Sequence, residues 1–236
     1  DRIAGALVSS KKGLEVIEGK VVIDCTGDGD VAQRCGAPYE MGDQQLHQVQ
    51  PATMFFHVSN VDGERLEADI QAHLHTFYRK DGVNYRSLHW RVAQARANGD
   101  WSLQRVSIGI FRMPKPDEWC VNTSRIMNVD STDNESLTRA EIEGRRQADE
   151  ILRFLRKYVP GCENARMKAT ASCIGIRESR HIVGDYWLTG EDLLQGKVPE
   201  DTILLSANSV DVHGRFGPVS NEYVAIQSDY YGVPYR

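Results

Sequence analysis

The sequence predicts an α+β fold, mixed in its element order, with an antiparallel sheet and packed helices as its main body. Strand-like and helix-like runs alternate in the first half, and strands dominate the second. One long amphipathic pattern, residues 139–158, reads as a helix. An apolar fraction of 41% against 26% charged residues is ordinary globular composition, and 236 residues are enough to bury a core without staples.

Residues 3–8 (IAGALV) and 15–24 (EVIEGKVVID) read as strands joined through the turn-like KKGL. The second run breaks into CTGDGD and then VAQRCGAP. That is a buried strand giving way to a glycine-rich loop and a short helix, a common way for a sheet to present ligand-binding backbone. Residues 52–59 (ATMFFHVS) form the next strand. Leu66, Ile70, Leu74 and Phe77 recur at helical spacing over 64–79. Leu88, Val92 and Ala95 do so over 85–98, where Asn98-Gly99 stops the helix. Strands are expected at 101–112 and 119–129, split by PKPDE. Thr138 and Glu141 form a capping box for the helix at 139–158, each side chain satisfying an orphan amide of the first turn. Its apolar stripe is Ile142, Leu152, Leu155 and Val159, and Pro160-Gly161 ends it. Strands follow at 166–174 and 180–188, then a short helix from Thr189 with Asp192 three residues on, then strands at 202–206 and 222–227. No internal repeat and no long linker divides the chain.

Composition excludes several function classes. Lys and Arg number 28 against 33 Asp and Glu, for a net charge of −5, which does not suit a nucleic-acid backbone. No apolar run approaches the roughly 18 residues of a membrane helix. The five cysteines (Cys25, Cys35, Cys120, Cys162, Cys173) form no CxxC pair, so neither a disulfide framework nor structural zinc is indicated. Reduced thiols in a cytoplasmic protein are the default, with Cys173 read as a small buried hydrophobe. G-x-S-x-G, HExxH and GK[ST] are absent. EF-hand spacing fails from Asp28, where Gln33 occupies the glycine position, and in DSTDNES, where Glu135 does. No metal is expected. His73 and His75 read as solvated. Arg145, Arg146, Arg153, Arg156 and Lys157, interspersed with Glu143, Asp149 and Glu150, read as a solvated helix face.

Four segments carry chemistry. In VVIDCTGDGDVA, residues 21–32, Gly27 and Gly29 let backbone amides approach a ligand. A helix starting near Asp30 would favour a phosphate, whereas Asp28 and Asp30 would repel one. As bare spacing the segment reads as a tight turn or as a site. In IRESRHI, extended backbone places Arg177, Ser179 and His181 on one face and Glu178 and Arg180 on the other. Arg177 and Arg180 could fork onto a carboxylate, with His181 as a proton acceptor; the structural alternative is an Arg–Glu ion-pair lattice. In SVDVHGRFG, Asp211 could orient His213 for proton transfer or sit with it on a strand surface. Arg125, in NTSRI, could reach the same site or lie on a strand surface.

VVIDCTGDGDVAQRCGAPYEMG resembles the second FAD motif of a large family of FAD-dependent oxidoreductases, the flavoproteins related to glutathione and fumarate reductases. IGIRESRHIVGDYWLTGEDLL at 174–194, NTSRIMNVDSTDNESLTRAEIEGRRQ at 122–147 and the terminal YGVPYR resemble further blocks of that family, in the same order. The resemblance implies that Thr26, Gly27, Asp28 and Gly29 touch FAD and that Asp24 is structural. It implies hydride transfer from a small organic substrate to flavin N5, with Arg177, Arg180, Arg125, His181 and His213 as anchoring and acid–base residues. The family's GxGxxG and "NLLVAGRxIS"-like segments are absent from this sequence, and the chain starts at Asp1. The expectation is therefore the middle of a flavoprotein: a flank of the FAD-binding domain at 1–45, a substrate-binding domain at 46–230, and a return at 231–236. Such a piece would lack flanking segments of its own chain and bind FAD weakly or not at all. The alternative is a non-catalytic ligand-binding or assembly module derived from a flavoprotein.

Overall fold

The structure is a computed structural model and describes residues 3–43, 48–213 and 221–236. In chain order its elements are β1 (Gly5–Ser10), β2 (Gly13–Glu18), α1 (Asp30–Arg34), β3 (Tyr39–Met41), β4 (Phe56–Ser59), α2 (Gly63–Ala72), β5 (Tyr78–Lys80), β6 (Val83–Tyr85), α3 (His89–Ala97), β7 (Ile110–Arg112), β8 (Trp119–Val121), α4 (Asn134–Tyr158), β9 (Arg166–Thr170), β10 (Arg180–Ile182), α5 (Gly190–Leu194), β11 (Thr202–Ser206), β12 (Val210–His213), β13 (Asn221–Val224) and β14 (Tyr231–Pro234). The fold is α+β, and the strand pairs described are antiparallel. No helix among the described residues is long and apolar enough to cross a membrane.

The body is a four-stranded sheet in the order β7-β8-β4-β9 with α4 laid against it. Phe56 stands opposite both Val121 and Thr170. Residues Ala140, Gly144, Ala148, Ile151, Leu155 and Tyr158 of α4 are buried at the three-to-four-residue spacing of one helix face. Phe56, Val58, Val121, Ile151, Phe154 and Leu155 are essentially inaccessible to water. Gly144 permits the close approach of helix to sheet, because a Cβ there would stand 2.8 Å from Met54 Cβ. Beyond the sheet, isolated bridges join Ala52 to Ile126 and Thr53 to Gly175. They prolong the β4 line over a second apolar cluster of Met54, Ile126, Val129 and Ile174, and so deliver Thr53, Arg125 and Arg177 to one place.

Several elements differ from the sequence reading. Helix α4 begins at Asn134, because Asp133 in extended backbone accepts the amides of Glu135 and Ser136 and caps it earlier. Thr138 and Glu141 are therefore no capping box: Thr138 donates to the Asn134 carbonyl, and Glu141 accepts the Ile174 amide. Ile142 is 67% exposed and outside the apolar stripe. The helix expected over 64–79 ends at Ala72, because Asp81 and Gly82, both at positive φ, turn β5 into β6 and stack Tyr78 on Tyr85 at 4.4 Å. Residues 101–109 are loop, fixed by buried Trp101, Leu103 and Ile108 rather than by a ladder. The runs at 119–129, 166–174 and 180–188 are strand only at their starts. Strand β2 stops at Glu18, and Val21–Asp24, read as a buried strand end, has no strand partner among the described residues; Val21 and Ile23 are each 80% exposed. Cys173 is exposed, and His73 is half-buried and stacked on Trp90 at 4.1 Å. At Thr189–Asp192 the expected cap is a reciprocal capping box. The mixed-charge run on α4 is an exposed lattice except at one member: Arg146 stands 2.8 Å from Glu143, with further pairs Arg145–Glu141 and Arg153–Asp149, but Glu150, read as solvated, is buried and accepts the Ser102 amide and hydroxyl.

Candidate functional site

The glycine-rich loop is held by its first carboxylate. Asp24 accepts the Thr26 amide at 2.9 Å, the Thr26 hydroxyl at 2.7 Å and the Ala32 amide at 2.9 Å. Thr26 Oγ1 in turn accepts the Asp30 amide. These bonds, that of the Thr26 hydroxyl foremost, hold the Asp24 carboxyl below the usual carboxylate range. Gly29 has φ +64, and a Cβ there would press on Ile182 Cδ1 at 3.1 Å, so glycine is required twice over. A Cβ on Gly27 would meet nothing within 4 Å. Gly27 and Asp28 form one wall of a cavity of about 650 Å³, which leaves this backbone open to a ligand.

Residues Ile176–His181 form the opposite wall. Arg180 Nη1 donates to the Asp28 carbonyl at 2.9 Å and pairs with Asp30 at 2.8 Å, while its guanidinium lies over Tyr39. The Asp28 carboxylate accepts from Ser131 at 2.7 Å. Both loop aspartates are thus matched within the protein, and Arg180 acts on the loop. Regular strand begins only at Arg180, so the face assignment for this segment needs correction. Rather than standing on the face opposite Glu178, His181 places Nε2 2.9 Å from Glu178 Oε1, and Glu178 Oε2 accepts the Gln50 amide. With a carboxylate against Nε2, the proton sits on Nε2 and Nδ1 is the acceptor.

Behind this wall lies a smaller pocket of about 180 Å³ lined by Thr53, Arg105, Arg125, Arg177, Asp211 and His213 among others. Arg177 donates through Nε and Nη2 to Thr53 Oγ1, at 3.1 and 3.0 Å. Gln147 of α4 clamps the Arg125 backbone, accepting its amide at 2.8 Å and donating to its carbonyl at 3.1 Å. Arg125 Nη2 donates to His213 Nδ1 at 3.0 Å, and His213 Nε2 stands 3.2 Å from Asp211 Oδ2. A guanidinium only donates, so His213 Nδ1 is the bare nitrogen and Nε2 carries the proton towards Asp211. Both nitrogens of His213 are engaged. Burial pushes the Arg125 guanidinium down to about 9, and the charges of Arg105 and Arg177 push the same way. Burial lowers Arg105 and Arg177 too. Arg177 and His213 line both the pocket and the larger cavity.

The structure thus brings Gly27, Asp28, Arg177, Arg180, His181 and His213 to one cavity, with Arg125 in the adjoining pocket. Thr26 and Gly29 are not among the cavity's lining residues; the Thr26 hydroxyl braces the loop between Asp24 and the Asp30 amide. Sequence reasoning missed Arg105, Thr53 and Gln50. Only one faint signal marked any of them: a lone arginine amid the apolar residues of LQRVSIGI. No group of three His, Cys, Asp or Glu side chains is placed to hold a metal among the described residues.

No curated protein and no solved structure matches the chain. The family model described as FAD dependent oxidoreductase matches residues 1–236, so by its whole length this chain belongs to the FAD-dependent oxidoreductase family.

Proposed function

We propose that this chain forms the substrate side of an FAD-dependent oxidoreductase acting on a small organic molecule. One observation carries the reading: the loop whose open glycine, Gly27, fits close-approaching dinucleotide backbone shares a cavity with Arg177 and His181. The braced geometry of Asp24 and Thr26 keeps the Gly27–Asp28 backbone presented, and Arg180 keeps the loop against β10. A flavin bound there would supply the two-electron acceptor. Arg177, fixed by Thr53, anchors an oxygen-rich group of the substrate. His181, oriented by Glu178, takes up the substrate proton at Nδ1. His213, with both nitrogens engaged, orients Arg125 and serves less readily as the base. The five unpaired cysteines fit a reducing compartment such as the cytoplasm.

The test is a visible absorption spectrum of the protein made from its complete coding sequence, followed by anaerobic addition of candidate substrates. The expected result is a stoichiometric flavin spectrum that bleaches with substrate. His181→Gln should keep the spectrum and slow the bleaching by about 10²-fold or more. A folded, colourless product that also refuses added FAD overturns the proposal.

A further inference from the structure

We propose that Gln50 is a positioning residue of the cavity: its main chain sets His181, and its side chain sets His213. The two histidines come from β10 and β12. Among the described residues neither strand belongs to the four-stranded body. β10 pairs with β3, and β12 pairs with β13, each in a separate two-stranded sheet. No shared ladder therefore fixes one histidine relative to the other. Hydrogen bonds from the body must do so, and two of these come from one residue.

The main-chain arm runs to Glu178. The Gln50 amide donates to Glu178 Oε2 at 2.8 Å across 128 residues of sequence, and Glu178 Oε1 stands 2.9 Å from His181 Nε2. The carboxylate thus divides its oxygens, one to the body and one to the ring, and its side chain is only 16% exposed. Holding the second oxygen fixes the plane of the first, and with it the ring that meets it. The side-chain arm runs to β12. Gln50 Oε1 accepts the His213 amide at 3.1 Å across 163 residues. A backbone N–H only donates, so the carboxamide atom that faces it is the oxygen. His213 in turn meets Arg125 Nη2 through Nδ1 and Asp211 through Nε2.

Gln50 is itself well anchored. Pro51 follows it, is buried, and restricts the Gln50 backbone to extended conformations. Ala52 exchanges two backbone bonds with Ile126, each of 2.9 Å, and Thr53 exchanges two with Gly175, of 3.0 and 2.8 Å. One fixed stretch of the β4 line therefore carries both arms into the cavity, which Gln50, His181 and His213 all line. The arms stand on geometry alone. That they serve proton transfer and substrate anchoring rests on the oxidoreductase reading.

Nitrogen NMR of the histidine rings, at one pH and without substrate, tests the arms separately. Loss of signals in His181→Gln and in His213→Gln assigns the two rings among the seven histidines. Gln50→Leu removes only the side-chain arm. The distinct Nδ1 and Nε2 signals of His213 should collapse towards the averaged pair of a solvated imidazole, while His181 keeps its own. Gln50→Glu keeps an acceptor oxygen and should restore His213. Gln50→Pro removes the amide hydrogen as well, so both rings should change. Should Gln50→Leu fail to fold, Gln50→Met removes the same oxygen at nearly the same length. Unchanged His213 signals in folded Gln50→Leu or Gln50→Met overturn the proposal. So does a change of both rings alike in either, which is what general loosening would give. Failure of Gln50→Glu to restore His213, or unchanged His181 signals in folded Gln50→Pro, also overturns it. In the flavin-loaded protein, Gln50→Leu should chiefly raise the half-saturating substrate concentration, through Arg125. Gln50→Pro should also slow bleaching at saturation, by up to about 10²-fold. The expected NMR pattern in a protein whose flavin never bleaches would leave the arms standing and count against the redox reading alone.

Discussion

The α4 side of the molecule and its glycine-loop side use similar apolar residues and treat them in opposite ways. Around α4, Phe56, Val58, Ile151 and Leu155 are sealed from water between helix and sheet. Across the loop side, Leu14, Val16, Val21 and Ile23 face solvent, and so do Ile203, Leu204 and Leu205 of β11. The first set has a partner layer, and the second has none among the described residues. Hydrophobicity sets what a residue gains if covered; it does not provide the cover. The candidate site lies between the two regions, with its arginines anchored in the packed body and its glycine loop on the open side.

Core truncation should separate the regions most strongly. Phe154→Ala should lose about 3–5 kcal/mol in urea unfolding, because a sealed side chain leaves a cavity. Ile23→Ser should stay within about 0.5 kcal/mol. A loss of several kcal/mol from Ile23→Ser would break the comparison.

Two glycine substitutions sharpen it. Gly144→Ala drives a methyl into Met54 and should cost about 1–3 kcal/mol. Gly27→Ala meets open space and should leave the unfolding midpoint unchanged, while weakening FAD binding in the protein made from its complete coding sequence. Weakened stability with unchanged FAD binding would reverse the role given to Gly27.

A smaller effect belongs to α5. Tyr186, then the Thr189 amide and Lys197, hold the Asp192 carboxyl below the usual carboxylate range. The folded state therefore binds fewer protons than the unfolded one near the unfolded value of ~3.9. That stabilisation is present above about pH 4 and lost as the pH falls through the acid range. Asp192→Asn should be less stable at neutral pH and should flatten the acid limb of stability against pH. An unaltered acid limb would show that the cluster contributes nothing.

The mildest probe is chemical and leaves the fold untouched. Cys25, Cys35 and Cys173 are exposed and should react with a thiol reagent in the native protein. Burial pushes the Cys162 thiol up to about 12, so it should react only on unfolding. Native reactivity at Cys162 would show that the α4 side opens more readily than its packing implies.

Much of the body was legible because its signals are local. Leu88, Val92 and Ala95 share a buried face as their spacing predicts, and Thr189 and Asp192 cap α5 reciprocally. The 202–206 strand stands where the sequence puts it. Where two local signals competed, the wrong one was followed. The Asp81-Gly82 turn overrode the helical spacing of Leu74 and Phe77, and Asp133 capped α4 ahead of Thr138. The glycine loop and the IRESRHI segment were legible as residue types, but their pairings were not. Arg180 bonds to the loop, and His181 swings onto Glu178, because the backbone there is irregular.

By itself the sequence determined the α+β class, the family, the long amphipathic helix and the identity of most cavity-lining groups. Those properties reside in composition, spacing and contiguous motifs. Only the tertiary structure decided which strands are covered, what the ring nitrogens of His181 and His213 meet, and that Arg105 joins Arg125 and Arg177. Arg105 lies twenty residues from Arg125 and seventy-two from Arg177 along the chain. No periodicity spans such distances; bridges at Ala52 and Thr53 bring the Arg125 and Arg177 segments together, and the Gly109 carbonyl, accepting the Asn122 amide, ties in the loop that carries Arg105.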